Sequence, residues 1–169
     1  MSLGYIIVGK KFTGKTTSAL KIVDIYELPA HAYDVRKEEK YRKHKNVTRF
    51  WGDEDEWVDH LIEHDYKACC ITFITDEAGD VFEHVTKNKR AKKAFRGGRF
   101  NGNIYIFIFH DLTEIPKYVL RFCNYLWIKK SDGEDDEIRK KYRSRPEIYE
   151  GWKYVNASTN PHCTIEIEL

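Results

Sequence analysis

Gly9-Lys10-Lys11-Phe12-Thr13-Gly14-Lys15-Thr16-Thr17 meets the pattern G-x-x-x-x-G-K-[ST] at every required position. The apolar run Tyr5-Ile6-Ile7-Val8 leads into it, and a helical pattern over 15–27 follows, closed by Pro29. Two glycines let the loop turn tightly and bring backbone N–H groups against phosphate oxygens. The following helix directs its positive end at the same anion. Gly9 to Thr17 therefore forms the candidate phosphate cradle. Lys15 is placed to reach the β- and γ-phosphates of ATP, and the Thr16 hydroxyl to hold Mg²⁺.

Outward from that loop, short apolar runs alternate with helical patterns. Residues 31–35 read as a short strand ending near Asp34, a weaker candidate for nucleotide contact. Residues 36–49 are charge-dense and mostly basic, which suits a loop or a short surface helix. Asp53, with Glu56 three residues on, has the form of a capping box opening a helix through His64, its apolar side built from Trp57, Val58, Leu61 and Ile62. Residues 68–75 form the next apolar strand and end at Asp76-Glu77; a helix over 77–87 follows. Ile104 to Phe109 is the most apolar run and closes at His110. Pro116 suits the start of a helix to Phe122, and 125–128 is a further strand. Strands alternating with helices imply a parallel sheet covered on both faces. Beyond residue 130 the composition shifts. Residues 135–145 read as a short exposed helix, and 152–155 with 163–168 as a C-terminal β-hairpin.

Strand ends supply the remaining chemistry. Asp76 is a candidate for orienting Mg²⁺, and Glu77, directly after it, for polarising an attacking water, unless the pair only caps the next helix. His110 is placed to contact the γ-phosphate or that water. Lys87 to Arg99 carries seven basic residues and no acid, with Gly97-Gly98 inside it. Arg96 and Arg99 are candidates for an arginine finger offered to a neighbouring subunit, and the lysines for a DNA backbone. A merely solvated basic face explains the same charges.

The bulk numbers set bounds. A chain of 169 residues, 41% hydrophobic and 33% charged, is expected to form one domain, with a core over about 4–130 and an extension over 131–169. The net charge of +2 excludes a globally basic protein, so any nucleic-acid contact is local. No run has the length of a membrane span and no signal core is evident, which suggests a cytoplasmic setting, or a virion. Cys69, Cys70, Cys123 and Cys163 lack metal spacing and read as buried thiols.

The order of these parts resembles the HerA/FtsK superfamily of DNA-pumping P-loop ATPases, with the small viral genome-packaging ATPases and the zonula occludens toxin-like phage assembly proteins as the nearest branches. The resemblance covers about 5–128. It implies a three-layer P-loop NTPase fold (RecA/FtsK-like), a homo-oligomeric ring around DNA, and in a virus a capsid or membrane partner. It also implies Lys15 and Thr16 on phosphate and Mg²⁺, Asp76 as the Walker B acid, Glu77 as base and Arg99 as the arginine before the sensor strand. At His110 the family usually carries a glutamine. A small-molecule kinase and a nucleotide-gated assembly or secretion protein are the competing functions.

Overall fold

The structure is a computed structural model and describes residues 2–67, 70–87 and 101–169. Seven described strands form one sheet: β1 (Leu3–Val8), β2 (Ala30–Tyr33), β3 (Val47–Phe50), β4 (Thr72–Thr75), β5 (Ile104–Phe109), β6 (Tyr125–Lys129) and β7 (Thr164–Glu168). Their order is β3-β2-β4-β5-β1-β6-β7. All neighbouring pairs are parallel except β6 with β7. The expected three-layer α/β architecture with a mainly parallel sheet is present.

Because side chains alternate across a strand, the sheet presents two apolar faces. One carries Ile6, Val8, Phe73, Tyr105, Phe107, Phe109 and Leu126 against α3 (Glu54–Lys67), α4 (Ala78–Lys87), α5 (Lys117–Phe122), α6 (Asp135–Lys141) and α7 (Pro146–Ala157). The other carries Tyr5, Ile7, Ile74, Ile104, Ile106 and Ile108 against α1 (Lys15–Tyr26) and Tyr41 of α2 (Glu39–Lys43). The central strand β5 is buried at all six positions, as its unbroken apolar run requires of a strand covered on both faces.

Several local expectations change. Residues 152–155 are not a strand; they lie in α7, where Trp152 and Val155 face the core on helical spacing with Ile148. β7 pairs instead with β6, from Tyr125↔Glu168 to Lys129↔Thr164, so the C-terminal antiparallel pair is made across a longer connection. The basic stretch after Asp34 contains α2 and the edge strand β3, whose period-2 pattern was hidden by Thr48 and Arg49 on a half-covered edge. Helix α6 is mostly exposed but buries Ile138, and the Tyr142 hydroxyl just after it donates to the Leu112 carbonyl at 2.6 Å. Cys70 is exposed rather than buried, Cys163 half-buried, and Cys123 buried, its thiol pushed well up by desolvation. Cys69 and the basic cluster from residue 88 to Arg99 lie outside the described residues. Among those described, no helix is long and apolar enough to cross a membrane.

Helix α3 shows how the second layer is keyed to the sheet. Asp53 Oδ1 accepts from Glu56 N at 2.8 Å and Glu56 Oε2 from Asp53 N at 3.3 Å, which completes the capping box. One turn on, fully buried Trp57 stacks on Tyr33 and donates its indole N–H to Thr75 Oγ1 at 3.0 Å. That bond gives a reason for the hydroxyl in an otherwise apolar strand. Trp57→Ala is expected to destabilise the chain by about 3–5 kcal/mol. A urea unfolding series with an unchanged m-value checks this.

Candidate active site

Parallel strands end on a common rim. The register Tyr33↔Thr75, Thr75↔Phe107 and Val8↔Phe109 sets Asp34, Asp76, His110 and Gly9 along it. β5 lies between β4 and β1, so His110 stands between the Asp76-Glu77 pair and the phosphate loop.

The loop is shaped by its glycines and its threonine. A Cβ on Gly9 would fall 2.8 Å from both Lys129 Cβ and Thr13 Oγ1, so no larger residue fits there. Gly14 sits at φ 83° and forms the N-cap of α1 with no side-chain cap, which leaves the first helical N–H groups for an anion. Thr13 Oγ1 donates to the Lys10 carbonyl at 2.9 Å and closes the turn. Phe12 also takes a left-handed φ of 66° and is 95% exposed at the loop tip.

Lys15 is buried, and its ammonium donates to the carbonyls of Gly9 and Lys10, the latter at 3.1 Å. Its Nζ lies 3.3 Å from His110 Nδ1. Burial lowers its pKa, opposed by Asp76 and Glu77. On the other side of the ring, His110 Nε2 meets Glu77 Oε2 at 2.6 Å, and Arg36 Nε meets Glu77 Oε1 at 2.6 Å. A continuous polar chain thus runs Lys15–His110–Glu77–Arg36. The His110 backbone N–H donates to Glu114 Oε2 at 3.0 Å, inside a capping box shared by Asp111 and Glu114.

The two adjacent carboxylates are driven apart. Burial, then repulsion from Glu77, raises Asp76 to about 6. Burial pushes Glu77 up as well, but its hydrogen bond to His110 and the charges of His110, Arg36 and Lys15 more than offset this and hold it below the ordinary value. Glu77 also adopts φ 58°, a left-handed conformation that a non-glycine residue holds only under constraint. Tyr41, fully buried, donates to Asp76 Oδ2 at 3.1 Å and so fixes the direction of the carboxylate expected to hold the metal. Lys10, Thr16, Arg36, Asp76, Glu77 and His110 line a common cleft of about 420 Å³.

Of the expected site residues, Lys10, Lys11, Phe12, Gly14, Lys15, Thr16, Asp76, Glu77 and His110 line the cleft; Gly9, Thr13 and Thr17 belong to the loop without lining the cleft, and Arg99 lies outside the described residues. Asp34 turns away: its carboxylate accepts from Arg49 Nε at 2.8 Å and from Glu38 N at 2.8 Å, which anchors the connection to α2. Sequence reading missed Arg36, Tyr41 and Glu114. Arg36 and Tyr41 were hidden in a basic stretch read as surface, and only the fold returns that stretch to the β4 rim.

No protein-family model matches the chain, and neither does any curated protein sequence. Solved structures do match. The genome packaging NTPase B204 from Sulfolobus turreted icosahedral virus 2, in complex with AMPPCP, aligns with a TM-score of 0.71 over 99% of this chain and 92% of that one, at 14% identity. This chain has a P-loop ATPase fold. The pCW3 conjugation coupling protein TcpA, with ATPgS, aligns at a TM-score of 0.54 and 11% identity over 81% of this chain and 51% of that one. The cytoplasmic domain of the Thermomonospora curvata Type VII secretion ATPase EccC aligns at 0.50 and 13% over 80% of this chain and 21% of that one. The P-loop ATPase fold therefore spans nearly all of B204 and only part of the larger two.

The raised pKa of Asp76 has a consequence for stability. In the unfolded chain the group titrates near 3.8 and in the folded chain near 6, so the folded state holds its proton longer. Stability attributable to this group falls as pH rises from about 4 to about 6, and the full penalty remains above pH 6. Asp76→Asn should therefore stabilise the chain at pH 7, by roughly 1–2 kcal/mol because Asp76 keeps part of its surface in water. Urea unfolding without nucleotide or divalent metal measures this, and the gain should vanish by pH 4.

Proposed function

We propose that this chain is a Mg²⁺-dependent ATPase that couples hydrolysis to moving or packaging DNA as a homo-oligomer. The observation that carries the reading is the convergence of Lys15, His110 and an ionised Glu77 in one cleft, beside a glycine-capped helix start left free for phosphate. The whole-chain likeness to a packaging NTPase solved with AMPPCP supports it.

In this reading the backbone of Gly9–Thr17 and the Lys15 ammonium bind the β- and γ-phosphates. Thr16 and Asp76 present hard oxygen donors of the kind Mg²⁺ prefers and would hold the ion, which would supply charge neutralisation at the phosphate oxygens. Tyr41, which donates to Asp76, fixes where that carboxylate points. Glu77 accepts a proton from the attacking water; its lowered pKa keeps it ionised, at some cost in basicity. His110 links Lys15 to Glu77 and so is positioned to register whether a γ-phosphate is present. Arg36 holds the Glu77 carboxylate in place. Arg99 or Arg96 would complete the site of a neighbouring protomer, and the basic stretch from Lys87 to Arg99 would take the DNA backbone.

ATPase rates measured with and without DNA across a salt series test this. Lys15→Ala should abolish nucleotide binding or turnover, and Glu77→Gln should lower kcat by roughly 10²–10⁴-fold while ATP stays bound. DNA should stimulate the rate, with the stimulation falling steeply as salt rises. Full turnover in Glu77→Gln would remove Glu77 as base. Absence of stimulation at low salt would remove DNA from the reading and leave ATP hydrolysis standing.

A further inference from the structure

A second cluster of chemistry-bearing side chains lies away from the phosphate cleft, where α3 crosses β2. His60 and His64 are four residues apart on α3 and therefore share one helix face, with ring centroids 4.1 Å apart. His31 on β2 faces them; its Nδ1 lies 2.9 Å from His60 Nε2, and its ring centroid is 5.3 Å from that of His64. One ligating nitrogen from each of the three lies within 4.8 Å of the other two. All three side chains are half-buried, so the group is sheltered yet reachable from solvent.

We propose that His31, His60 and His64 form a binding site for a divalent transition-metal ion of the Zn²⁺ class, which would pin α3 to the sheet. Three imidazoles are a donor set that suits Zn²⁺, Ni²⁺ and Cu²⁺ far better than Mg²⁺. The surroundings prepare them for it. His64 Nδ1 lies 3.1 Å from the His60 carbonyl; the tautomer that donates there leaves Nε2 as a lone pair, the outer-partner arrangement that orients metal-binding histidines. His60 is stacked by Phe50 and Trp57, at 5.2 and 5.3 Å between centroids, and Phe73 lies edge-on to the cluster, giving an apolar wall on one side. Burial, reinforced by the other imidazoles, lowers His31 and holds His60 at about 4, so both are neutral near pH 7, the form a metal requires.

His31 Nδ1 and His60 Nε2 are close enough to share one hydrogen bond, so one of the two already presents the lone pair that a metal would take up. The three histidines lie apart from the nucleotide cleft: they come from β2 and α3, while the cleft is lined from the loop after β1, the ends of β4 and β5, and Arg36 beyond the end of β2.

Calorimetric titration of the full chain with Zn²⁺, without nucleotide and after removal of metal, tests the proposal. One saturable equivalent is expected, with a rise in Tm that deepens with metal concentration. His64→Gln and His31→Gln, each checked for fold by circular dichroism, should weaken binding by at least the roughly 10–100-fold carried by outer partners. Co²⁺ should give the strong visible absorption of a tetrahedral site with no sulfur charge-transfer band. Should both variants fail to fold, nitrogen-15 NMR of the native imidazoles decides: Zn²⁺ should shift His31, His60 and His64 but not His44 or His162. Lack of saturable binding, binding indifferent to both substitutions, a sulfur band, or shifts elsewhere would each overturn the site and leave the cluster as packing.

Discussion

The site depends on two neighbouring carboxylates with opposite proton affinities. Asp76 and Glu77 are consecutive, both partly withdrawn from water, and within repulsive reach of each other. Two like charges so placed would both be pushed toward the neutral form. The fold breaks the symmetry by where it sends each side chain. Glu77, turned by its left-handed backbone, meets His110 and Arg36 and stays ionised. Asp76 meets the Tyr41 hydroxyl, which supports its charge less, and it rises. Environments that separate titratable neighbours in this way mark acid–base assignments.

That separation depends on the sheet. With β5 between β4 and β1, the phosphate loop and the carboxylate pair are held one strand apart, and His110 spans the gap between Lys15 and Glu77. If β4 lay directly beside β1, no strand end would stand between loop and acids to carry that ring. Strand β5 is buried throughout and paired along six residues with β1, so its end is a firm support for a bridging side chain. Glu114 and Asp111 brace the same point by capping the turn that follows.

The stability cost of the cleft is met in the layer packed beneath α3 on one face of the sheet. A desolvated Asp76 and a left-handed Glu77 both favour the unfolded chain, and the aromatic packing of Trp57, Tyr33 and Phe50 under α3 offsets them. The histidine cluster belongs to that same seam, one turn beyond Trp57. A metal there would secure the helix without touching the nucleotide chemistry.

How much was legible from the chain follows from the range of the interactions involved. The phosphate loop, the strand running into Asp76-Glu77 and the apolar β5 closing on His110 are local patterns: a turn demanding glycine, a helix start without a cap, a strand buried on both faces. Each writes itself into consecutive residues. Residues 152–155 were misread because four apolar-leaning residues carry too little periodicity to separate strand from helix, and contact with β6 and β7 decided it. Arg36 and Tyr41 carry no local mark. They reach Glu77 and Asp76 across 41 and 35 positions of sequence because β2 pairs with β4, and the pairing of two parallel strands is settled by the sheet as a whole. His31 meets His60 and His64 for the same reason. The sequence by itself determined which residues could do chemistry at strand ends; the tertiary structure decided which partners stand beside them, and so which carboxylate keeps its charge.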